Sequence, residues 1–370
     1  MKELNIGKCI ALKRKEKGIT QEDLANYIGV SKASVSKWET GQSYPDIVFL
    51  PEIATYFNIS VDELIGYSPQ MTKEEIKKLY KKLSLDFTKK DFEEVYKECR
   101  EIIKKYYSCF PLLYEMVLLI LNHYMLEKDK AKQEKVLLEL VELCNHIKKD
   151  GDNISFIKNT NSIEAIVELT LNNPEKALVL LEGELKPSIN NEPLIANAYE
   201  LLGNHEKAVS VLQFSAYNSL MGLLNNMLYL IKNYYNDKDN FNETVNRILQ
   251  VFEIFKVRNL DENIVLLVYL EIAQGYLIQG NKDSAFKYLF QYLEVCRKFK
   301  DHIYFHGDDY FCHLEEIFKE LEINVEAPRD KKIIIESMIS AISENPLFQS
   351  LKEEPKYRIL LEELNTLKEE

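Results

Sequence analysis

The chain has little of what marks a membrane, secreted or turn-rich protein. Its 370 residues include only 12 Gly and 10 Pro, too few for a many-turned β architecture or a Pro/Gly-rich disordered chain. No run of about 18 apolar residues occurs, since the densest stretch, Leu112 to Leu121, carries Glu115. The N-terminus lacks a signal peptide's apolar core, so a cytoplasmic location with no membrane partner is expected. The cysteines (Cys9, Cys99, Cys109, Cys144, Cys296, Cys312) form no CxxC pair, which predicts buried thiols rather than a disulfide framework or a cysteine-based zinc finger. Positive charge is also short. With 47 basic against 59 acidic residues the net charge is −12, which argues against broad adhesion to nucleic acid or anionic lipid and confines any DNA contact to a local patch. Walker, GxGxxG, GxSxG and HExxH motifs are missing, so no enzyme activity, no cofactor and no metal is expected.

What is present is apolar periodicity. Hydrophobic residues make up 46% of the chain and aromatics 11%, enough for the cores of two or three helical units. Residues 1–67 divide into five short helices. Leu4, Ile6, Ile10 and Leu12 form an apolar face that stops at Gly18, and Thr20 with Asp23 supplies an N-cap and its acidic partner for a second helix. That helix turns Leu24, Ala25 and Ile28 inward and ends at Gly29, where a residue tolerant of positive φ lets the chain reverse. Ser31 caps a third helix, residues 32–40, that presents Ala33, Ser34 and Lys37 on one face and is closed by Gly41. Two short helices joined by a glycine-containing turn, the second with small or basic outward residues, suit a DNA major groove.

The run from Ile19 to Gly41, with Tyr44-Pro45-Asp46 and Ser60 to Gly66 behind it, resembles the XRE/Cro type of helix-turn-helix regulator. The resemblance implies that Gln21 bonds a phosphate, that Ser31, Lys32, Ala33, Ser34 and Lys37 meet base edges, and that Thr40, Gln42 and Tyr44 touch the backbone. It also implies an Arg14–Glu39 salt bridge and a dimer on a double-stranded DNA operator, while Trp38 is expected to pack beneath the recognition helix. The chemistry is compatible: lysine donates to guanine O6 and N7, and a small side chain accepts a thymine methyl. The segment holds eight basic and nine acidic residues, so binding depends on where they cluster.

Past Pro69 the pattern changes to paired amphipathic helices with short loops. Asn172 to Ala177, Gly203 to Ala208 and Gly280 to Ala285 share one turn-then-helix template with an early alanine, and they look like tetratricopeptide turns. Second helices are expected to start near residues 89, 130, 174, 205, 241 and 282. The resulting fold class is all-α: a five-helix domain over residues 1–67, a linker and connecting helix over 68–88, a tetratricopeptide-like right-handed solenoid over 89–344, and capping helices over 345–370.

A helix from about Leu220 to Tyr235 carries an amide-rich outward face of Asn225, Asn226, Tyr229, Lys232 and Asn233, which Asn197 and Gln274 extend. Carboxamides offer a donor and an acceptor to a peptide backbone, although the same face fits ordinary solvent exposure in an Asn-rich sequence. His302, His306, Cys312 and His313 invite a zinc reading, but Gly307 and two aspartates interrupt the helix, and packing at a helix junction is favoured. Domain order and length resemble the RNPP and Rgg peptide-sensing regulators, which implies a transcription regulator whose array binds a short signalling peptide and alters a homodimer's operator binding. Three rivals stay open: a ligand-independent dimeric repressor, an adaptor whose array docks a protein partner, and a zinc-dependent sensor or hydrolase.

Overall fold

Caps and turn residues set the short elements at the start of the chain. The computed structural model describes residues 6–66, 70–150, 154–183, 190–298, 306–320 and 328–367; Leu4, Ser68, Pro69 and His302 lie outside them. Every regular element among them is a helix. The first is α1, Ile6–Glu16. Thr20 opens α2, Gln21–Ile28, with a reciprocal cap in which its side chain accepts from Asp23 N and the Asp23 carboxylate accepts from Thr20 N. Gly29 ends α2 at φ 78°. Ser31 opens α3, Lys32–Glu39, by accepting from Ser34 N. A 3-10 turn at Ile47–Phe49 leads into α4, Leu50–Phe57, and Ser60 caps α5, Val61–Ile65.

These five helices close on Ile6, Ile10, Leu24, Ala25, Ile28, Val35, Trp38, Ile53, Ala54 and Leu64. Leu12, expected on the apolar face of α1, is instead 57% exposed: the buried stripe is spent on Ile6 and Ile10, and Leu12 falls outside it. Gly7 explains how closely α1 lies on α3, since a Cβ there would sit 2.0 Å from the Trp38 carbonyl oxygen.

The chain separates into two units, residues 1–83 with 92–174, and residues 84–91 with 175–370. In the first, Gln70 Nε2 donates to Ser108 O at 3.1 Å and Met71 N to Cys109 Sγ at 3.4 Å. The expected connecting helix is α6, Lys73–Lys89, which buries Ile76, Tyr80 and Leu83 and meets the next helix through Lys82–Glu98 at 2.6 Å. There follow α7, Phe92–Lys105; α8, Phe110–His123; α9, Lys130–Asp150; and α10, Ile154–Thr170. Leu112, Leu113, Met116, Ile120, Leu137, Leu140 and Cys144 fill the space between them. Lys148 and Glu164 form a shielded ion pair at 2.5 Å.

The second unit contains α11, Pro174–Leu180; α12, Glu192–Leu201; and α13, His205–Asn233. A helix is expected from about Leu220 to Tyr235, and that stretch is the second half of α13, which runs unbroken for 29 residues and ends at Asn233. Residues 213–219 contain neither Gly nor Pro, and nothing there ends a helix once Asn204 has capped it. Next come α14, Lys238–Ile254; α15, Glu262–Ile278; α16, Lys282–Lys298; α17, Leu314–Glu320; α18, Lys331–Ser343; and α19, Pro355–Thr366. Gly275 lets α15 approach α14, since a Cβ there would be 2.2 Å from the Phe241 ring. The C-terminal segment closes this core with Phe348, Leu351, Tyr357, Leu360 and Leu364, and the Tyr357 hydroxyl donates to Ile342 O at 3.0 Å. Lys282–Glu354 and Lys356–Asp283 ion pairs fasten α19 and the turn before it to α16. All six cysteines are free.

Candidate nucleic-acid interface

Helix α3 is seated by its apolar underside. Val35 is fully buried and Trp38 6% exposed, with the Trp38 ring 6.2 Å from Phe49. The helical period then turns Lys32, Ala33 and Lys37 to solvent, with Ser34 half-buried behind them. Ser31, Thr40, Gln42 and Tyr44 are exposed at or just beyond the two ends of the same helix. The Ser31 and Ser34 hydroxyl oxygens lie 2.9 Å apart, and the Thr40 hydroxyl donates to the Ser36 carbonyl at 2.9 Å.

Beneath this face a polar frame ties three helices. Arg14 Nε donates to Glu39 Oε1 at 2.6 Å, Arg14 Nη2 to Glu39 Oε2 at 3.1 Å, and Arg14 Nη1 to the Ile19 carbonyl at 2.8 Å. Gln21 Nε2 donates to Glu39 Oε2 at 2.8 Å, so Gln21 is positioned by the frame from the first turn of α2. Burial alone raises the Glu39 pKa, and the hydrogen bonds from Arg14 and Gln21 overcome it, holding the carboxyl below its ordinary value of 4.5. The guanidinium of Arg14 is correspondingly held more firmly protonated by Glu39.

One partner was not legible in the sequence. Lys32 Nζ sits 3.3 Å from Glu22 Oε2, both side chains about two-thirds exposed. The two residues are ten positions apart on different helices, and neither helical period nor motif connects them. Lys37 has no such partner among the described residues. Other lysines of the domain have structural posts: Lys13 bonds Glu63 at 3.2 Å, and Lys17 donates to the Tyr56 carbonyl and lies over its ring.

The proposed peptide-facing residues are less closely gathered. Asn225, Asn226, Tyr229 and Asn233 are exposed along α13, with Leu223 exposed before them and Leu230 between Tyr229 and Asn233. Asn233 Nδ2 donates to the Tyr229 carbonyl one turn back. Asn197 is exposed on α12, whereas Gln274 is half-buried on α15 with its side-chain oxygen 3.4 Å from Asn345 Nδ2. Gln274 therefore faces the closing segment. The histidine-rich stretch does not assemble as written. Cys312 Sγ faces Gln213 Nε2 at 3.7 Å, and the metal-compatible grouping among the described residues joins His313 to Glu206 and Glu316, without Cys312 or His306.

The face on α3, the turn at Gly29 and the Arg14–Glu39 frame define a helix-turn-helix domain, and the helix-turn-helix family model matches residues 10–64. Over 73 residues the chain is 37% identical to the HTH-type transcriptional activator BcrR of Enterococcus faecalis, covering 18% of this chain and 36% of that one. It is 38% identical over 63 residues to the cryptic phage CTXphi transcriptional repressor RstR of Vibrio cholerae serotype O1, covering 17% and 56%. The chain thus spans about a third to a half of these curated relatives. Among solved structures, the apo form of ComR from S. thermophilus is 16% identical, covering 87% of this chain and 99% of that one at a TM-score of 0.25. Bacillus thuringiensis PlcR, in complex with the peptide PapR7 and DNA, is 14% identical, covering 96% and 98% at a TM-score of 0.25. Among the described residues no helix is long and apolar enough to cross a membrane.

Proposed function

We propose that the protein is a sequence-specific transcription regulator of the cytoplasm that inserts α3 into the major groove of an operator. The carrying observation is the division of α3 into a buried underside, Val35 and Trp38, and an exposed face whose charges are Lys32 and Lys37. Gln21, held at the first turn of α2, donates to a phosphate, and Ser31, Thr40, Gln42 and Tyr44 fix the register along the backbone. One such helix reads few base pairs, so the working form is a homodimer on two half-sites. The helical array acts as the sensor: a short peptide along its amide-bearing face changes the separation of the two heads, and a mis-spaced dimer loses one set of base contacts. The exposed Asn226 and Asn233, interleaved with Leu223 and Leu230, support that role because they offer amide bonds and apolar contact on one stripe.

Genomic footprinting of the protein in cells, followed by titration of the recovered duplex, tests the reading. The expected result is a two-fold-symmetric footprint and tight binding that falls steeply with salt. A protein that leaves no footprint and ignores every duplex at low salt is not a regulator of this kind.

A further inference from the structure

The first unit holds a groove that the proposed regulatory face does not use. Helices α7 and α9 run side by side, joined by Lys132–Glu93 at 3.1 Å and by the Tyr96 hydroxyl donating to Glu139 Oε2 at 2.6 Å. Between them lies a cavity of about 750 Å³, a size that suits a small ligand. Its apolar lining includes Ile103 and Leu143, with Leu138 half exposed at 48%. At one end the Tyr107 and His146 rings stack with centroids 3.9 Å apart, and His146 Nε2 is 2.8 Å from the Tyr107 carbonyl.

The charges toward the other end are unevenly matched. Glu139 already takes the Tyr96 hydroxyl, and Arg100 reaches its second oxygen only at 3.9 Å with its side chain 57% exposed. Lys135, one turn before Glu139 on the same face, has no partner among the described residues. Two cations thus flank a carboxylate that is engaged elsewhere, which favours a further anion there. Lys104 and Glu142 lie farther along, offset each other, and leave that part of the groove neutral. From Glu139 to His146 is seven helical residues, about 10 Å, the reach of about three extended residues at roughly 3.4 Å each.

We propose that this groove binds a short extended peptide through an acidic side chain clamped by Arg100 and Lys135, with an adjacent apolar residue bedded on Ile103, Leu138 and Leu143. A guanidinium takes a carboxylate in two parallel bonds, and the ammonium adds a point charge beside it. The assignment rests on the reading of the array as a peptide sensor and adds a separate peptide site in the first unit. Its test is calorimetric titration of the full-length protein with acetyl-Asp-Leu-Leu-amide, its Asn isostere and octanoate. The Asp peptide binds at least ten times more tightly than the Asn peptide, and Arg100→Gln and Lys135→Gln each abolish that difference while leaving the helical circular dichroism signal intact. Equal binding of the two peptides, no binding of either, octanoate binding as tightly as the Asp peptide, or an unmoved preference in the charge variants overturns the proposal. Operator titration of the same proteins separates the two ideas: selective peptide binding with unaltered operator affinity upholds the groove and removes the switch, whereas a regulator that responds only to peptides lacking an acidic residue keeps the switch and loses the groove.

Discussion

The helix-turn-helix domain and the helical array are built from the same kind of element with opposite tolerances. In the domain, α2 and α3 have eight residues each, too short to persist alone, and their ends are set by Thr20, Ser31 and Gly29. Two of their outward side chains are held by bonds to other helices of the domain, Gln21 by Glu39 and Lys32 by Glu22. In the array, α13 reaches 29 residues and draws its stability from a continuous buried stripe of Leu220, Leu224, Met227 and Ile231. The lesson is one of placement. A short helix proposed to meet nucleotide edges is fixed from several sides, while a long scaffold helix has room for amides and exposed leucines.

The largest break in that comparison is at glycine. Gly7→Val drives a side chain into the Trp38 carbonyl, and because the obstacle is backbone, α1 must lift from α3. The expected cost is about 3 kcal/mol or more, seen as a red-shifted Trp38 emission and loss of operator binding while most of the helical signal persists. Gly275→Ala meets the edge of the Phe241 ring, which can rotate partly away, so the array should lose about 1 to 3 kcal/mol. Thermal unfolding of both variants decides it; an equal or smaller loss in the domain contradicts the close approach of α1 and α3.

Next is the frame. Removing the Glu39 carboxylate by Glu39→Ala strands a guanidinium that is only 14% exposed, at an expected cost of about 2 to 3 kcal/mol given partial solvent access. The pH dependence follows from the depressed pKa of Glu39. Its stabilisation is complete above the ordinary value of 4.5 and is lost as the pH falls below it through the folded-state value. Trp38 fluorescence during acid titration should show this loss in the wild type, and Glu39→Gln should flatten that part of the curve. A variant with an unaltered acid transition assigns the acid sensitivity to other carboxylates.

How much was legible in the sequence follows the same division. The all-α fold was legible because its signals are local: an acidic residue three places after Thr20, a glycine at the reversal, an alanine after each Asn-bearing turn. Helix starts such as His205 and Lys282 can be read from those turns. The outward residues of α3 follow from helical period alone. What could not be read depends on distant partners. Leu12 has the residue type of a core position but loses the competition for space, α13 continues because no residue stops it, and the α7–α9 groove arises from a register of about 39 residues that no motif encodes. Gln274 extends the amide surface in the sequence only as a residue of the following helix, whereas its hydrogen-bond partner Asn345 lies 71 residues on.

Within the recognition face, Lys37→Ala should weaken operator binding by about 1 to 3 kcal/mol if it meets a base and should relax sequence preference at that position. Lys32→Ala should cost less, because the free protein already engages that ammonium with Glu22 and the contact must be exchanged on binding. Anisotropy titrations with the operator and a scrambled duplex separate the two. Equal losses on both duplexes would reassign Lys37 to a phosphate.

The smallest expected effect tests the Lys32–Glu22 pair from the other side. Glu22→Gln removes a carboxylate that engages Lys32 and that, on the proposed docking of α3, would repel the DNA, yet it breaks only an exposed ion pair worth about 0.2 to 1 kcal/mol. Stability should therefore scarcely move, while operator affinity rises by about 0.5 kcal/mol at low salt, and the gain should shrink as salt screens the removed charge. In the double variant with Lys32→Ala the gain should be smaller, because only the repulsion from phosphate is then relieved and no ammonium is released. An affinity that stays level or falls in Glu22→Gln would mean that Glu22 orients Lys32 for the groove instead of withholding it, and the recognition helix would then extend its preorganised frame to the first turn of α2.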